Sequence, residues 1–241
     1  MWVNNMKRNL PIILIFSVGL VLLTYPYIAR LVNEEVAEAK VFELQESWTE
    51  LSDKEKVERF EVAERYNDEL SARGRLGVEL TDIDFTDSDG VEQMATSPSE
   101  ENGNDDSATN AYSYIEIPRL NLNLPIYLDS SRWSLANGIG LVPGSSMPVG
   151  GDSTHSVLAG HRGMATKEMF QHLDRLRVGD EIHIHSVNGK MTYRVYRTDV
   201  ILPNQTGALE IQPSKDLTTL VTCHPYGSNS HRLIVQGERV D

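Results

Sequence analysis

Residues 112–241 read as a mainly β domain of many short strands, and three observations carry that reading. Short β-branched and apolar runs recur at residues 113–117, 122–127, 155–159, 181–187, 192–201, 217–223 and 232–239, separated by Gly, Pro, Asn, Asp and Ser. Helical spacing within the same region is confined to two short stretches, 131–137 and 166–173. Charge is balanced there, with 12 acidic and 12 basic side chains, as in an ordinary compact domain. Many strands with few helices predict a barrel or sandwich whose edges are closed or covered.

The segments in front of this domain follow in order. Residues 9 to 29 carry no charge, a length that spans a bilayer core as a helix. Lys7 and Arg8 precede the run, and Glu34, Glu35 and Glu38 follow it. This asymmetry predicts a cytoplasmic N-terminus at residues 1–9, a transmembrane helix at 10–29 and an extracellular remainder. Tyr25-Pro26-Tyr27-Ile28-Ala29 offers no small-x-small site, so an uncleaved anchor is favoured over a signal peptide.

Residues 30–80 predict a helical juxtamembrane segment. Val36, Val41, Phe42, Leu44, Trp48 and Leu51 suit one amphipathic helix. Ser52-Asp53-Lys54-Glu55 is a capping-box signature for a second, with Val57, Phe60, Ala63 and Leu70 on one face and an end at Arg73-Gly74. Such helices either pack on the domain behind them or only hold it off the membrane.

The net charge of −13 belongs to the front of the chain, because residues 34–110 hold 23 acidic and 7 basic side chains. Within it, residues 81–111 are acidic and polar and bury too little apolar area to offset their ordering entropy, which predicts a mobile loop. Asp82, Asp84, Asp87 and Asp89 are spaced like a calcium loop, but counted from Asp82 loop position 12 is Gln93 rather than Glu, and no calcium site is expected. The absence of a basic patch with interleaved aromatics argues against nucleic acid as a partner.

Cys223 is the only cysteine. It ends the run Leu217-Thr218-Thr219-Leu220-Val221-Thr222 and is followed by His224-Pro225-Tyr226-Gly227. A lone thiol in an exported domain is either an inert core group or a nucleophile. His161, between Gly160 and Arg162-Gly163, stands where a second small-residue strand ends. A thiol and an imidazole at two strand ends form the minimal pair for acyl transfer, with thiolate attack followed by proton delivery to a leaving amine. Arg232 opens the next strand and supplies a permanently charged donor for an oxyanion or a substrate carbonyl. Each residue taken singly has a structural explanation; three reactive groups at three strand ends favour chemistry.

Thr219-Leu220-Val221-Thr222-Cys223 with Arg232, and Leu158-Ala159-Gly160-His161-Arg162-Gly163, closely resemble the two signature blocks of the sortases, cysteine transpeptidases of Gram-positive bacteria. The resemblance runs from about Tyr114-Ile115-Glu116-Ile117-Pro118 to Gly237-Glu238-Arg239. Cys223-His224-Pro225-Tyr226-Gly227-Ser228-Asn229-Ser230-His231-Arg232 and the Gly144–Gly151 stretch look most like class C, the pilus-assembling branch. The resemblance implies an eight-stranded sortase-type β-barrel with N-terminal helices and short connecting helices. It implies cleavage of an LPXTG-type sorting signal between Thr and Gly, a thioester on Cys223, and transfer to a lysine amine of a pilin subunit, with no cofactor. Carried over, His161 is the general acid and base and Arg232 the oxyanion or substrate-positioning group. Thr222, His224, Tyr226 and His231 are candidates for binding substrate or shaping the loop.

The sequence departs from the class C pattern twice. The usual lid anchor is Asp-Pro-aromatic, and the nearest match here is Asp84-Phe85, so residues 81–111 are an acidic mobile loop or an atypical lid. A C-terminal membrane helix is usual in class C and none follows Arg239 here, leaving the N-terminal span as the expected anchor. His183-x-His185 share one strand face and could hold a metal, but no third ligand is identifiable, and a solvated strand face is expected. The competing functions are a housekeeping sortase acting on cell-wall precursor amines, a Cys-His hydrolase using water, and a non-catalytic surface scaffold.

Overall fold

The computed structural model describes residues 2–73, 78, 80, 81, 83, 85, 110–164 and 166–241, with side chains from residue 11 onward. The acidic stretch 86–109 and the calcium-like spacing that ends at Gly90 lie outside the described residues, as does Gly74, while Arg73 of the expected helix stop is the C-cap of the second helix.

The expected transmembrane and juxtamembrane helices are one element, α1, Trp2–Glu50. Residues 31–50 are rich in Glu, with Ala and Leu beside it, strong helix formers with no Gly or Pro among them, so nothing interrupts the helix where the apolar run ends. The apolar part is long enough to cross a membrane and none of it is buried against the protein. Beyond it one face turns inward: Val41 and Leu44 pack with Tyr114, and Trp48 stacks on the Tyr114 ring at 5.9 Å.

Helix α2, Asp53–Ala72, starts at the expected capping box, with Ser52 N donating to Glu55 Oε2 at 2.8 Å and Glu55 N to Ser52 Oγ at 3.3 Å. Ala63 and Leu70 of the expected face are buried, whereas Val57 is exposed. Asn67 completes that face by a reciprocal pair of bonds to the Met147 backbone, at 2.7 and 3.2 Å. Both helices therefore pack on the β domain.

The strands are β1 Ser113–Ile117, β2 Leu122–Tyr127, β3 Ile139–Leu141, β4 Thr154–Ala159, β5 Glu181–Ser186, β6 Gly189–Ile201, β7 Asp216–His224 and β8 His231–Arg239. They close into a barrel in the order β1-β2-β3-β4-β7-β8-β6-β5. Seven of the eight coincide with the expected runs. The eighth, β3, has three residues centred on Gly140 and offers almost no pattern to read. The stretch 131–137 is helical as expected, α3 Arg132–Asn137, capped by Ser131. The stretch 166–173 is not a helix: Phe170 N donates back to His161 O at 2.9 Å, and Met169 takes a positive φ of 44°. Its backbone bonds thus return to a strand end instead of closing helical turns, and only a 3₁₀ turn, Leu173–Arg175, follows.

Ile115, Ile117, Ile126, Leu158, Ile184 and Val235 fill the barrel interior. A second cluster covers the outer face of β4, β7 and β8 and includes Val78, Leu80, Ile83 and Phe85 from the segment after α2. Strands β4 and β7 are parallel neighbours buried on both faces, which is why both read as continuous apolar and Thr/Ser runs without alternation.

A polar network ties this region together. His155 Nδ1 donates to Glu210 O at 2.9 Å, and Nε2 pairs with Thr219 Oγ1 at 2.7 Å. Burial pulls its pKa below the ordinary value, opposed by the Glu210 bond, and burial acts on His185 in the same direction. The unfolded chain takes up protons near about pH 6.5 that the folded chain refuses. The stabilisation is therefore complete above that pH and is lost as pH falls from it toward the lowered folded values. The thermal midpoint is expected to drop between pH 7 and pH 5, and His155→Gln is expected to flatten that drop; an unchanged slope would remove His155 as its source.

Candidate active site

Alternation along the strands decides which side chains meet. On β7, Leu220 enters the barrel interior, whereas Val221 and Cys223 face outward; on β8, Leu233 and Val235 point in and Ile234 points out. Arg232 shares the parity of Ile234 and is the register partner of Cys223, so both leave the same outer face. On β4, Leu158 points in, and Val157 and Ala159 point out. Ala159 pairs with Val221, and Gly160 N donates to Val221 O at 3.1 Å, extending the parallel ladder past the strand. His161 therefore follows Ala159 as Cys223 follows Val221, on strands about 4.8 Å apart. Parallel strands bring a thiol and an imidazole together at one end of the barrel. A Cβ on Gly160 would lie 2.8 Å from both Ile139 Cδ1 and Phe170 Cδ2, so glycine is what lets β3 and the Phe170 turn close under this strand end.

The three groups are nearly enclosed, with Cys223 at 7%, His161 at 6% and Arg232 at 3% exposure. Asn229, which the sequence reading passed over, links two of them: Cys223 Sγ donates to Asn229 Oδ1 at 3.3 Å, and Arg232 Nη1 donates to the same oxygen at 2.8 Å. Arg232 also donates to the backbone carbonyls of Asn229 and His231, both at 3.1 Å. Its Nε is buried with no hydrogen-bond partner among the described residues. Burial lowers the Arg232 pKa, and the neighbouring Cys223 acts in the opposite sense.

Arg162 was also missed, because an arginine beside a histidine reads as surface charge. It is buried and fastens the two reactive strand ends: Nη1 donates to Cys223 O and to His224 Nδ1, each at 3.1 Å, and Nε donates to Gln171 O at 3.3 Å. Asp174 pairs with its Nη2 at 3.5 Å. Since a guanidinium only donates, His224 Nδ1 is an acceptor and the ring proton sits on Nε2.

Phe85 closes the outer side. Its ring lies 4.9 Å from the Arg232 guanidinium carbon and meets the His161 ring edge-on at 6.2 Å, while Arg232 Nη2 reaches Leu80 O at 3.5 Å. Asp84, its expected companion, lies outside the described residues.

The secondary candidates separate. Thr222 is fully buried and points into the barrel, opposite Cys223, so it cannot touch a substrate on the outer face. His224 is held by Arg162, and His231 pairs with Ser230 Oγ at 2.9 Å. Tyr226 is exposed at the loop tip. His183 and His185 do not lie on a solvated strand face: His185 stacks on Tyr114 at 4.3 Å, beneath Trp48 of α1, and bonds Glu116 at 2.9 Å. Among the described residues no group of three or more His, Cys, Asp or Glu could share a metal ion.

A closed barrel with cysteine, histidine and arginine on adjoining strand ends is the layout of a thiol-dependent acyl transferase. The sortase domain model matches residues 115–240, more than half of the chain, and the chain belongs to the sortase family, which comprises cysteine transpeptidases. Sortase D of Bacillus subtilis (strain 168) is 29% identical over 133 residues, which cover 54% of this chain and 64%, less than two thirds, of that protein. Among solved structures the neighbours are class C sortases. Sortase C1 of GBS pilus island 1 superposes with a TM-score of 0.71 at 33% identity, covering 85% of this chain and 92% of the other. Sortase C of Clostridium perfringens, solved with the C-terminal cell wall sorting motif, gives a TM-score of 0.68 at 32% identity, covering 85% and 100%.

Proposed function

We propose that this chain is a membrane-anchored, class C-like sortase that joins pilin subunits, and the observation that carries the reading is the shared outer face of Cys223, Arg232 and the residue run leading to His161. The Cys223 thiolate attacks the threonine carbonyl carbon of an LPXTG-type signal. The carbonyl electron pair moves onto oxygen, and the oxyanion is met by Arg232, whose buried Nε has a donor to offer. Collapse breaks the Thr–Gly bond, and His161 protonates the departing glycine amine. A pilin lysine amine then attacks the thioester, His161 takes its proton, and the thiolate leaves. The pilus-island and sorting-motif relatives support this choice of substrate. The α1 span supplies the anchor, with the barrel on the extracellular side.

Incubating the soluble domain with a sorting-signal peptide and either a pilin or a wall-type amine tests the reading. Isopeptide-linked pilin is expected; product only with the wall-type amine would make it a housekeeping sortase, and release of free carboxylate with no transfer would make it a hydrolase.

Phe85 acts in this reading as the part of an atypical lid that covers the site, because a peptide lying between His161 and Arg232 must displace it. A buried Phe side chain stabilises by about 1.5–3 kcal/mol, so Phe85→Ala is expected to speed alkylation of Cys223 by roughly 10- to 100-fold. Alkylation at the unaltered rate would show that Phe85 does not control access.

A further inference from the structure

Helix α1 passes from its apolar span onto the barrel without a break. Leu31 and Val32 are still exposed apolar groups. Docking begins beside them: Arg30 Nη1 lies 4.0 Å from Glu168 Oε1, and Asn33 Nδ2 donates to Thr166 O at 3.0 Å. Further along, Ala37 packs against the core together with Leu120 and Leu122, Lys40 donates to Asn137 Oδ1 at 3.0 Å, and Gln45 donates to Tyr114 OH at 2.7 Å. The helix thus climbs the barrel in one sense, from the loop around Thr166 and the start of β2 toward Tyr114.

The strand directions say which end of the barrel that is. β2 runs parallel to β3, and β3 runs antiparallel to β4, so β2 begins at the end where β4 stops. β4 stops just before His161, and β7, parallel to β4, delivers Cys223 to the same end. The part of the barrel that α1 meets first on leaving its apolar span is therefore the part that carries the thiol.

We infer that the catalytic end of the barrel faces the bilayer, with the loop around Thr166–Glu168 resting in the lipid headgroup layer; this rests on the membrane anchoring proposed above. Asn33 stands three residues beyond Arg30, about 4.5 Å along a helix. The headgroup layer beyond each side of the hydrocarbon core is about 5–7 Å thick, so the Thr166 contact falls inside it. Pro26 lies within the span and can kink it, but every barrel contact named here comes after Pro26. A kink alters the angle at which the barrel meets the surface, not the end that meets it. The partner of this surface is the lipid headgroup layer itself, and Cys223 is approached along that layer.

The test uses the full chain in vesicles. Cys223→Ser leaves no cysteine, so single labelling sites can be added. Thr166→Cys is suitable because Thr166 contacts α1 through its backbone carbonyl. Asn188→Cys is the control: β5 runs antiparallel to β1 and β1 antiparallel to β2, which puts the exposed β5–β6 turn at the opposite end. Each variant carries an environment-sensitive fluorophore in phosphatidylcholine vesicles containing headgroup-spin-labelled lipid, and Glu168→Cys serves as a second near site if Thr166→Cys does not fold. The near label is expected to be quenched several-fold more strongly than the label at residue 188. Equal quenching, or stronger quenching at 188, in chains that float with the vesicles would overturn the orientation and leave the anchor standing. Failure to float would overturn the anchor and the orientation with it.

Discussion

Cys223→Ala is expected to abolish both the acyl-enzyme and the transfer product, read by intact-mass spectrometry after incubation with sorting-signal peptide. No other thiol in the chain can substitute, because Cys223 is the only cysteine. The fold is expected to survive. Removing Sγ forfeits about 1 kcal/mol of burial, and Asn229 Oδ1, which accepts from Sγ, keeps its bond from Arg232. Loss of activity in a protein that melts near the parent temperature would therefore report chemistry rather than collapse. Transfer persisting at the parent rate would return Cys223 to the inert core reading, and the scaffold function with it. His161→Ala is expected to cost about 10²–10⁴-fold in the same assay, the usual worth of a positioned general acid and base.

Arg232→Ala is expected to lower kcat/KM by about 10²–10³-fold, the scale measured when an oxyanion donor is removed. Two effects combine. The oxyanion loses a charged donor, and the Asn229 side chain loses its 2.8 Å partner beside the thiol. Arg232→Lys separates them. Lysine restores the charge but not the planar fork that reaches Asn229 O, Asn229 Oδ1 and His231 O together, so it is expected to recover little of the rate. A lysine variant with full turnover would show that charge alone is needed, and an alanine variant with undiminished turnover would take Arg232 out of the mechanism.

The strands were legible where a run of β-branched residues was bounded by turns, as in Leu217-Thr218-Thr219-Leu220-Val221-Thr222. Reading failed where other contacts set the backbone. β3 is three residues long and held by β2 and β4. The 166–173 stretch has helical spacing, yet its amide at Phe170 is taken by His161 O. The hidden parts of the site are of the same kind. Arg162 and Asn229 matter through what they touch across 61 and 6 residues of sequence, Cys223 O for the first and Cys223 Sγ for the second. Phe85 was visible as a lid-anchor match in an acidic stretch, but its place against His161 and Arg232 was not.

By itself the sequence determined the β-rich catalytic half, the apolar span before it, and the three residue types that acyl transfer requires. Those are properties of composition, period and chemical identity, and each is carried by residues adjacent in the chain. Only the tertiary structure decided that Cys223 and Arg232 share a face while Thr222 turns inward, since period-2 alternation fixes relative faces but the pairing of β4, β7 and β8 fixes which of them is outside. It alone decided that Phe85 stands over His161 and Arg232, and that α1 meets the barrel at the end where the thiol lies. Both are contacts between segments far apart in the chain, and such contacts are set by packing and strand direction, which no local pattern records.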